Sequence, residues 1–173
     1  MKYNKKLLNY SIGAVIFTSI VGTLWHFFYE WSGNNKVVGL FTPVNESTWE
    51  HMKLAFFPML IYMIFQAYSL KQEYPHILYA GFLSTIAATI AIPVLFYGYT
   101  YLLGKNYTPL DILTFYVSAV IGGIVNYFLA GKCKKTDCQI LSVLLMVLFL
   151  TAFLLFTYNP PDYPIFTPPS ADL

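Results

Sequence analysis

Apolar runs of about 20 residues recur along the whole sequence, and each is long enough to cross the hydrocarbon core of a bilayer. Only 10% of the 173 residues are charged and 57% are hydrophobic, whereas soluble domains carry about 25% charged residues. Because lipid offers no partner for backbone polar groups, each run is expected to be a helix. The sequence therefore predicts an all-α membrane protein, a five-helix transmembrane bundle. The predicted spans are residues 7–31, 47–70, 76–103, 108–130 and 139–158.

The lysines predict the orientation of this bundle. All ten basic residues are lysines, and with the N-terminus inside, seven of them fall on the cytoplasmic side and three on the outer side. Because cytoplasmic loops are enriched in lysine and arginine, this distribution predicts the N-terminus inside and the C-terminus outside. Residues 1–173 are thus predicted to form a single transmembrane domain. Residues 159–173 would be a Pro-rich outer tail that packs over the outer face.

Net charge and cysteine spacing argue against several classes of function. The formal charge of +2 is too small to indicate a nucleic-acid partner, so the lipid bilayer is the one partner predicted directly. Cys133 and Cys138 are spaced as CxxxxC, which fits neither a CxxC redox motif nor a four-ligand zinc site. They are predicted to be ordinary cytosolic thiols.

The densest polar stretch of the chain is residues 43–53, at the predicted outer start of the second span. Ser47-x-x-Glu50 matches a capping box, in which the serine and the glutamate satisfy free amides at a helix start. Capping does not account for Glu46 or His51. Beside a helix N-terminus, His51 is expected to be the neutral imidazole that binds metals.

Further polar side chains are predicted at the same outer face. His26 and Glu30 are four residues apart, a spacing that can place two ligands on one metal ion. Asp111 follows Thr108 and Pro109, which fits an N-cap at Thr108, proline at the first helical position and an acid in the first turn. Aromatic residues at the outer end of the third span are predicted to form the interfacial belt. These are Phe96, Tyr97, Tyr99 and Tyr101.

The first functional hypothesis is a metal-dependent, membrane-embedded hydrolase that acts on a lipid or lipid-linked substrate. Its divalent metal ion, zinc or a similar ion, would be bound by His26, Glu30, Glu46 and His51. Its general base toward a metal-bound water would be Glu50 or Asp111. Its substrate-binding residues would be Asn45, Lys53 and Asn126.

Two other hypotheses use the same residues. Six outer acids against three outer lysines also suit a binding, transport or accessory subunit for a small polar or cationic solute. A transporter would need a wet cavity that continues past Ser118 and Gly122 toward Asn126. Alternatively, the polar residues only cap and pin helices in a structural or partner-binding membrane protein. A shared zinc ion requires the His26 and His51 side chains to lie within about 8 Å of each other.

Residues 25–33 (WHFFYEWSG) and 43–53 (PVNESTWEHMK) resemble an uncharacterised family, and the ending at residues 156–161 (FTYNPP) is similar to that of the family. The family comprises small multi-span membrane proteins of Firmicutes and related bacteria and is classed as a domain of unknown function. The resemblance covers nearly the whole chain. It implies a multi-pass protein of the bacterial cytoplasmic membrane, and it implies no activity.

Overall fold

The structure is a computed structural model that describes residues 4–130, 132 and 136–169. Within these residues the fold is all-helical, with no strand. The α-helices are α1 (Lys5–Trp25), α2 (Phe28–Trp31), α3 (Lys36–Gly39), α4 (Thr48–Leu70), α5 (Ile77–Leu103), α6 (Thr108–Leu129) and α7 (Thr136–Phe156). In the described part of the chain, five of them are long and apolar enough to cross a membrane, which confirms the predicted number of long apolar helices.

Helix α4 is the centre of the bundle. It packs against α1, α5 and α6, while α7 packs against α5. The fully buried Phe56, Met59 and Met63 of α4 form the core together with Phe153 of α7. Because α4 is the most buried of the five long helices, its polar first turn is also drawn into the bundle.

The first predicted span is longer than the helix that forms. Helix α1 ends at Trp25, and the short helix α2 follows after a turn at His26 and Phe27. The backbone N–H of Phe27 donates to the carbonyl of Leu24 (3.1 Å), which tightens the last turn. The Trp25 indole N–H donates to the carbonyl of Phe41 (2.9 Å) and fastens this end of α1 to the next loop. As a result His26 lies in a turn.

Cys138, in the first turn of α7, differs from its predicted state. Cys138 is disulfide-bonded, so the predicted free thiol at this position is wrong. The spacing rules for CxxC redox motifs and zinc motifs do not predict whether a cysteine forms a disulfide. Cys133 lies outside the described residues. Disulfides persist in oxidising compartments, whereas the lysine distribution predicts a cytoplasmic position for this end of the bundle, so the orientation stays a prediction.

The C-terminal tail packs against the start of α4. Residues Pro164–Phe166 form a short 3₁₀ helix. The Phe166 ring lies 4.9 Å from the Trp49 ring and 5.6 Å from the Phe156 ring, between centroids. Ile165 packs against the hydrophobic core. The tail therefore forms part of the surface at the end of the bundle where α4 begins.

Candidate metal centre

Three side chains converge where α1 ends and α4 begins. His26 lies in the turn after α1, Glu46 in the loop before α4, and His51 in the first turn of α4. Gly22, one turn before His26, permits this approach. A Cβ atom on Gly22 would lie 2.6 Å from the carbonyl oxygen of Leu54 in α4, so a larger residue would push the two helices apart.

The three side chains have the spacing of a metal site. His26 Nε2 lies 3.5 Å from Glu46 Oε1, and His51 Nε2 lies 3.3 Å from Glu46 Oε2. One ligand atom from each side chain lies within 4.8 Å of the other two. Zinc bonds of about 2.0–2.1 Å at tetrahedral angles place neighbouring ligand atoms roughly 3.3 Å apart. The donor types therefore suit zinc, and ligand atoms up to 4.8 Å apart would have to move closer together by up to about 1.5 Å around the ion.

The tautomer of His51 is determined by a backbone contact. Its Nδ1 atom lies 3.0 Å from the carbonyl oxygen of Ser47. Since a carbonyl oxygen only accepts hydrogen bonds, Nδ1 carries a proton, and Nε2 is the atom that faces Glu46. Metal-bound histidines commonly donate their second N–H to a backbone carbonyl in this way. In the neutral ring, Nε2 then has a free lone pair, so this nitrogen can bind a metal ion.

Glu46 is held in its ionised form. Its contact with His51 lowers the pKa of the carboxyl from the ordinary 4.5 to about 2, with His26 contributing and burial opposing. The carboxylate is thus available as a ligand at any physiological pH. Its side chain remains 66% exposed, so a ligand can reach it from solvent.

A cavity of about 720 Å³ opens beside the triad of His26, Glu46 and His51. Asp111 and Asn106 supply further polar groups to its lining. Apolar walls come from Phe27, Leu54, Ile92, Phe96, Ile112 and Phe115. A largely apolar cavity with a few convergent polar groups is typical of a ligand site.

Asp111 faces this cavity because it does not cap its own helix. The predicted N-cap at Thr108 is wrong, since Thr108 is already helical and Tyr107 holds the N-cap position without a side-chain bond. The Tyr99 hydroxyl donates to one carboxylate oxygen of Asp111. The Asn106 amide donates to the other over 3.4 Å. Tyr99 was expected only in the aromatic belt, and no spacing rule links it to Asp111.

Glu50 and Lys53 form a separate, buried ion pair. Their side chains are 2% and 0% exposed, and Lys53 Nζ lies 2.7 Å from Glu50 Oε2. The ammonium also donates to the carbonyls of Gly39 (3.0 Å) and Thr42 (3.3 Å) and to the Thr157 hydroxyl (2.6 Å). Neither Glu50 nor Lys53 is among the described residues that line the triad cavity.

The predicted capping box forms only in part. Ser47 Oγ accepts from the backbone N–H of Glu50 (3.3 Å), as predicted. The Glu50 carboxylate instead accepts from the N–H of Val44 (3.0 Å). Asn45 satisfies the N–H of Ser47 with its side-chain oxygen (2.9 Å). Glu50 therefore holds the loop that carries Glu46.

Residues 1–171 match the Family of unknown function (DUF6512). The chain belongs to this family. No curated protein and no solved structure matches it. The match confirms the resemblance to an uncharacterised family, and the predicted bacterial membrane stays a prediction.

In this DUF6512 member, two predicted site residues lie away from the triad. Glu30 is exposed on α2. Asn126 lies 15 residues after Asp111 on α6, about 22 Å along the helix. The Asn126 amide donates to Gln66 (2.9 Å) and to Ser11 (3.2 Å), which joins three helices in the buried interior. Neither position brings a side chain to the triad cavity.

Proposed function

We propose that His26, Glu46 and His51 bind a divalent metal ion, most suitably zinc, and that this centre hydrolyses a lipid or lipid-linked substrate. The observation that carries the proposal is the arrangement around His51. Its Nδ1 proton is held by the Ser47 carbonyl, and its Nε2 atom faces Glu46 and His26 at ligand spacing.

The ligand set supports catalysis rather than a purely structural metal. Catalytic zinc sites keep three protein ligands and leave a fourth position for water, and two histidines with one glutamate are a known catalytic set. The metal lowers the pKa of this water toward neutrality. The open cavity beside the triad gives a substrate access to that position.

Asp111 is the proposed general base. A metal ion held by the triad would activate a water molecule at its open position. Asp111 would accept the proton of this water as the water oxygen attacks the acyl or phosphoryl centre, and would return the proton to the leaving oxygen as the substrate bond breaks. Tyr99 and Asn106 hold the carboxylate in position. Glu50 and Lys53 are proposed to support the loop of Glu46.

A second candidate function is cation binding without hydrolysis, with the same triad. A transport route is disfavoured by the packing below the cavity. Ser118 is fully buried, and a Cβ atom on Gly122 would lie 2.6 Å from the Met59 sulfur and 2.9 Å from the Ala88 Cβ. This tight contact offers no space for a polar path toward Asn126.

Metal content of the purified protein tests the metal site. Wild type and His76→Ala should retain zinc, whereas His26→Ala and His51→Ala should lose it. His76 is the matched control because it contacts Gln139 at the other end of the bundle (3.0 Å). Equal zinc content in all four proteins would refute the site.

Hydrolysis is tested separately with zinc-loaded protein and p-nitrophenyl palmitate in detergent micelles. Asp111→Asn should retain its zinc and lose activity by about 10²–10⁴-fold, the usual contribution of a general base. Zinc-loaded wild type without activity on ester and phosphodiester probes would favour cation binding alone. Full activity in Asp111→Asn would exclude Asp111 as the base.

A further inference from the structure

A second cavity, of about 750 Å³, lies between the end of α5 and the C-terminal tail. Four residues line both this cavity and the triad cavity: Thr48, Phe96, Asn106 and Pro169. The two spaces are therefore neighbours within one cleft. Each has the size of a typical small-molecule site.

The walls of the second cavity are mostly apolar. On the α5 side they are formed by Phe96, Tyr97 and Tyr101, and on the tail side by Tyr163 and a set of prolines. The prolines are Pro164, Pro168 and Pro169. The charged groups among its described lining residues are Lys105 and Asp162, of opposite sign. Such walls suit an uncharged chain better than a charged headgroup.

The tail wall is anchored by aromatic packing. Phe166 packs between Trp49 and Phe156, with ring centroids 4.9 Å and 5.6 Å away. The opposite wall, at the end of α5, faces outward: Tyr101 is 88% exposed and the adjacent Leu102 80% exposed. On a helix that crosses a membrane, such exposed apolar side chains contact lipid. The cavity is thus accessible from the bilayer.

We infer that the second cavity binds the hydrocarbon chain of a membrane amphiphile, whose polar group extends past Thr48 and Asn106 toward the triad. The chain enters from the bilayer beside Tyr101, and the prolines of the tail cover it. The assignment of this amphiphile as the substrate rests on the proposed function. Chain binding itself does not, because none of the triad side chains lines the second cavity among the residues that the structure describes.

Photoaffinity labelling tests the inference. The purified full chain in dodecylmaltoside is irradiated with a palmitate that carries a photoreactive diazirine, and separately with a prenyl alcohol that carries the same group. Labelled peptides should come from the end of α5 and from the tail. The preferred probe distinguishes an acyl chain from a prenyl chain.

Thr100→Trp should fill the cavity and reduce labelling roughly tenfold. The control is Ile64→Trp, which introduces the same side chain at an exposed position of α4 and should leave labelling unchanged. If Thr100→Trp fails to fold, Thr167→Trp fills the same cavity from the tail. Equal labelling of wild type and both cavity variants, or labels spread over all lipid-facing helices, would overturn the inference.

Zinc content, measured on the same samples, separates the two proposals. The cavity variants should retain zinc while they lose chain binding. Chain labelling at α5 and the tail in a protein that binds no zinc would uphold the chain site and refute the metal site. Zinc binding together with unselective labelling would uphold the metal site and refute the chain site.

Discussion

Two groups of ionisable side chains meet at the start of α4, and their surroundings differ. The ion pair of Glu50 and Lys53 is buried, and hydrogen bonds surround it. The triad of His26, Glu46 and His51 is partly exposed, and its ligand atoms lie within 4.8 Å of one another beside an open cavity. A charged side chain whose hydrogen-bonding atoms all have partners within the protein stabilises the fold. Neighbouring side-chain atoms that still have free lone pairs can bind a ligand.

The two groups are also connected. The carboxylate of Glu50 accepts from Val44 N–H, two residues before Glu46. Lys53 ties the same carboxylate to Gly39 and to Thr157 at the end of α7. The buried pair therefore holds the loop from which Glu46 reaches the triad. Substitutions in the buried pair should mainly affect folding, whereas substitutions in the triad should mainly affect metal binding.

The largest effect is expected for Lys53→Met. The substitution leaves the Glu50 carboxylate buried without its partner, which costs about 3–5 kcal/mol. Thermal unfolding in detergent measures the loss. The double variant Glu50→Gln with Lys53→Met removes both charges and should recover most of the stability. A single variant as stable as wild type would mean that the pair does not support the fold.

Glu46→Gln should act on metal binding instead of folding. The amide is a weaker ligand than the carboxylate, so zinc affinity should fall by at least about tenfold. Loss of a residue that only supports a metal ligand already lowers metal affinity by about tenfold or more. The side chain is 66% exposed, so the unfolding temperature of the metal-free protein should change little. Isothermal titration with zinc measures the affinity. A large loss of stability with unchanged zinc affinity would mean that Glu46 supports the fold and does not bind the metal.

The pH dependence of zinc binding should follow the histidines. Imidazoles bind metals only in the neutral form, and histidine titrates between about pH 5 and 8. The pKa of Glu46 is lowered to about 2, so its carboxylate stays ionised through that window. Its stabilising contribution is present above its ordinary pKa of 4.5 and disappears as pH falls through about 2. Zinc release centred near pH 4.5 would instead indicate a carboxylate site.

The smallest effect is expected for Glu30→Gln. Glu30 has the predicted four-residue spacing from His26, but it lies exposed on α2 and outside the group of convergent ligand atoms. Zinc affinity should match that of wild type in the same titration. A loss as large as that of Glu46→Gln would add Glu30 to the site.

Much of the architecture could be predicted because it follows from chain composition. Apolar runs and the requirement for internal backbone hydrogen bonds predicted five helices, which the structure confirms in its described part. Gly33, just after the cap of α2, has the left-handed conformation that glycine commonly adopts after a helix, with φ +70°. Local signals of this kind depend on a few neighbouring residues.

The details of the site depend on contacts that no local pattern encodes. The end of α1 at Trp25 is fastened by a bond to Phe41, sixteen residues away. The orientation of Asp111 depends on Tyr99 of another helix. Lys53 was assigned to a substrate, because nothing in its own segment indicates that Thr157 will lie beside it. Long-range pairs of this kind become visible only when the helices are packed.

The central claim is that two histidines and one glutamate of this chain bind one metal ion. X-ray absorption at the zinc edge, on protein loaded with one equivalent of zinc, tests it most directly. We predict scattering from two imidazoles and from oxygen at about 2.0–2.1 Å, with the imidazole signal reduced in His51→Ala. A sulfur shell at about 2.3 Å, or a shell without imidazole, would contradict the claim.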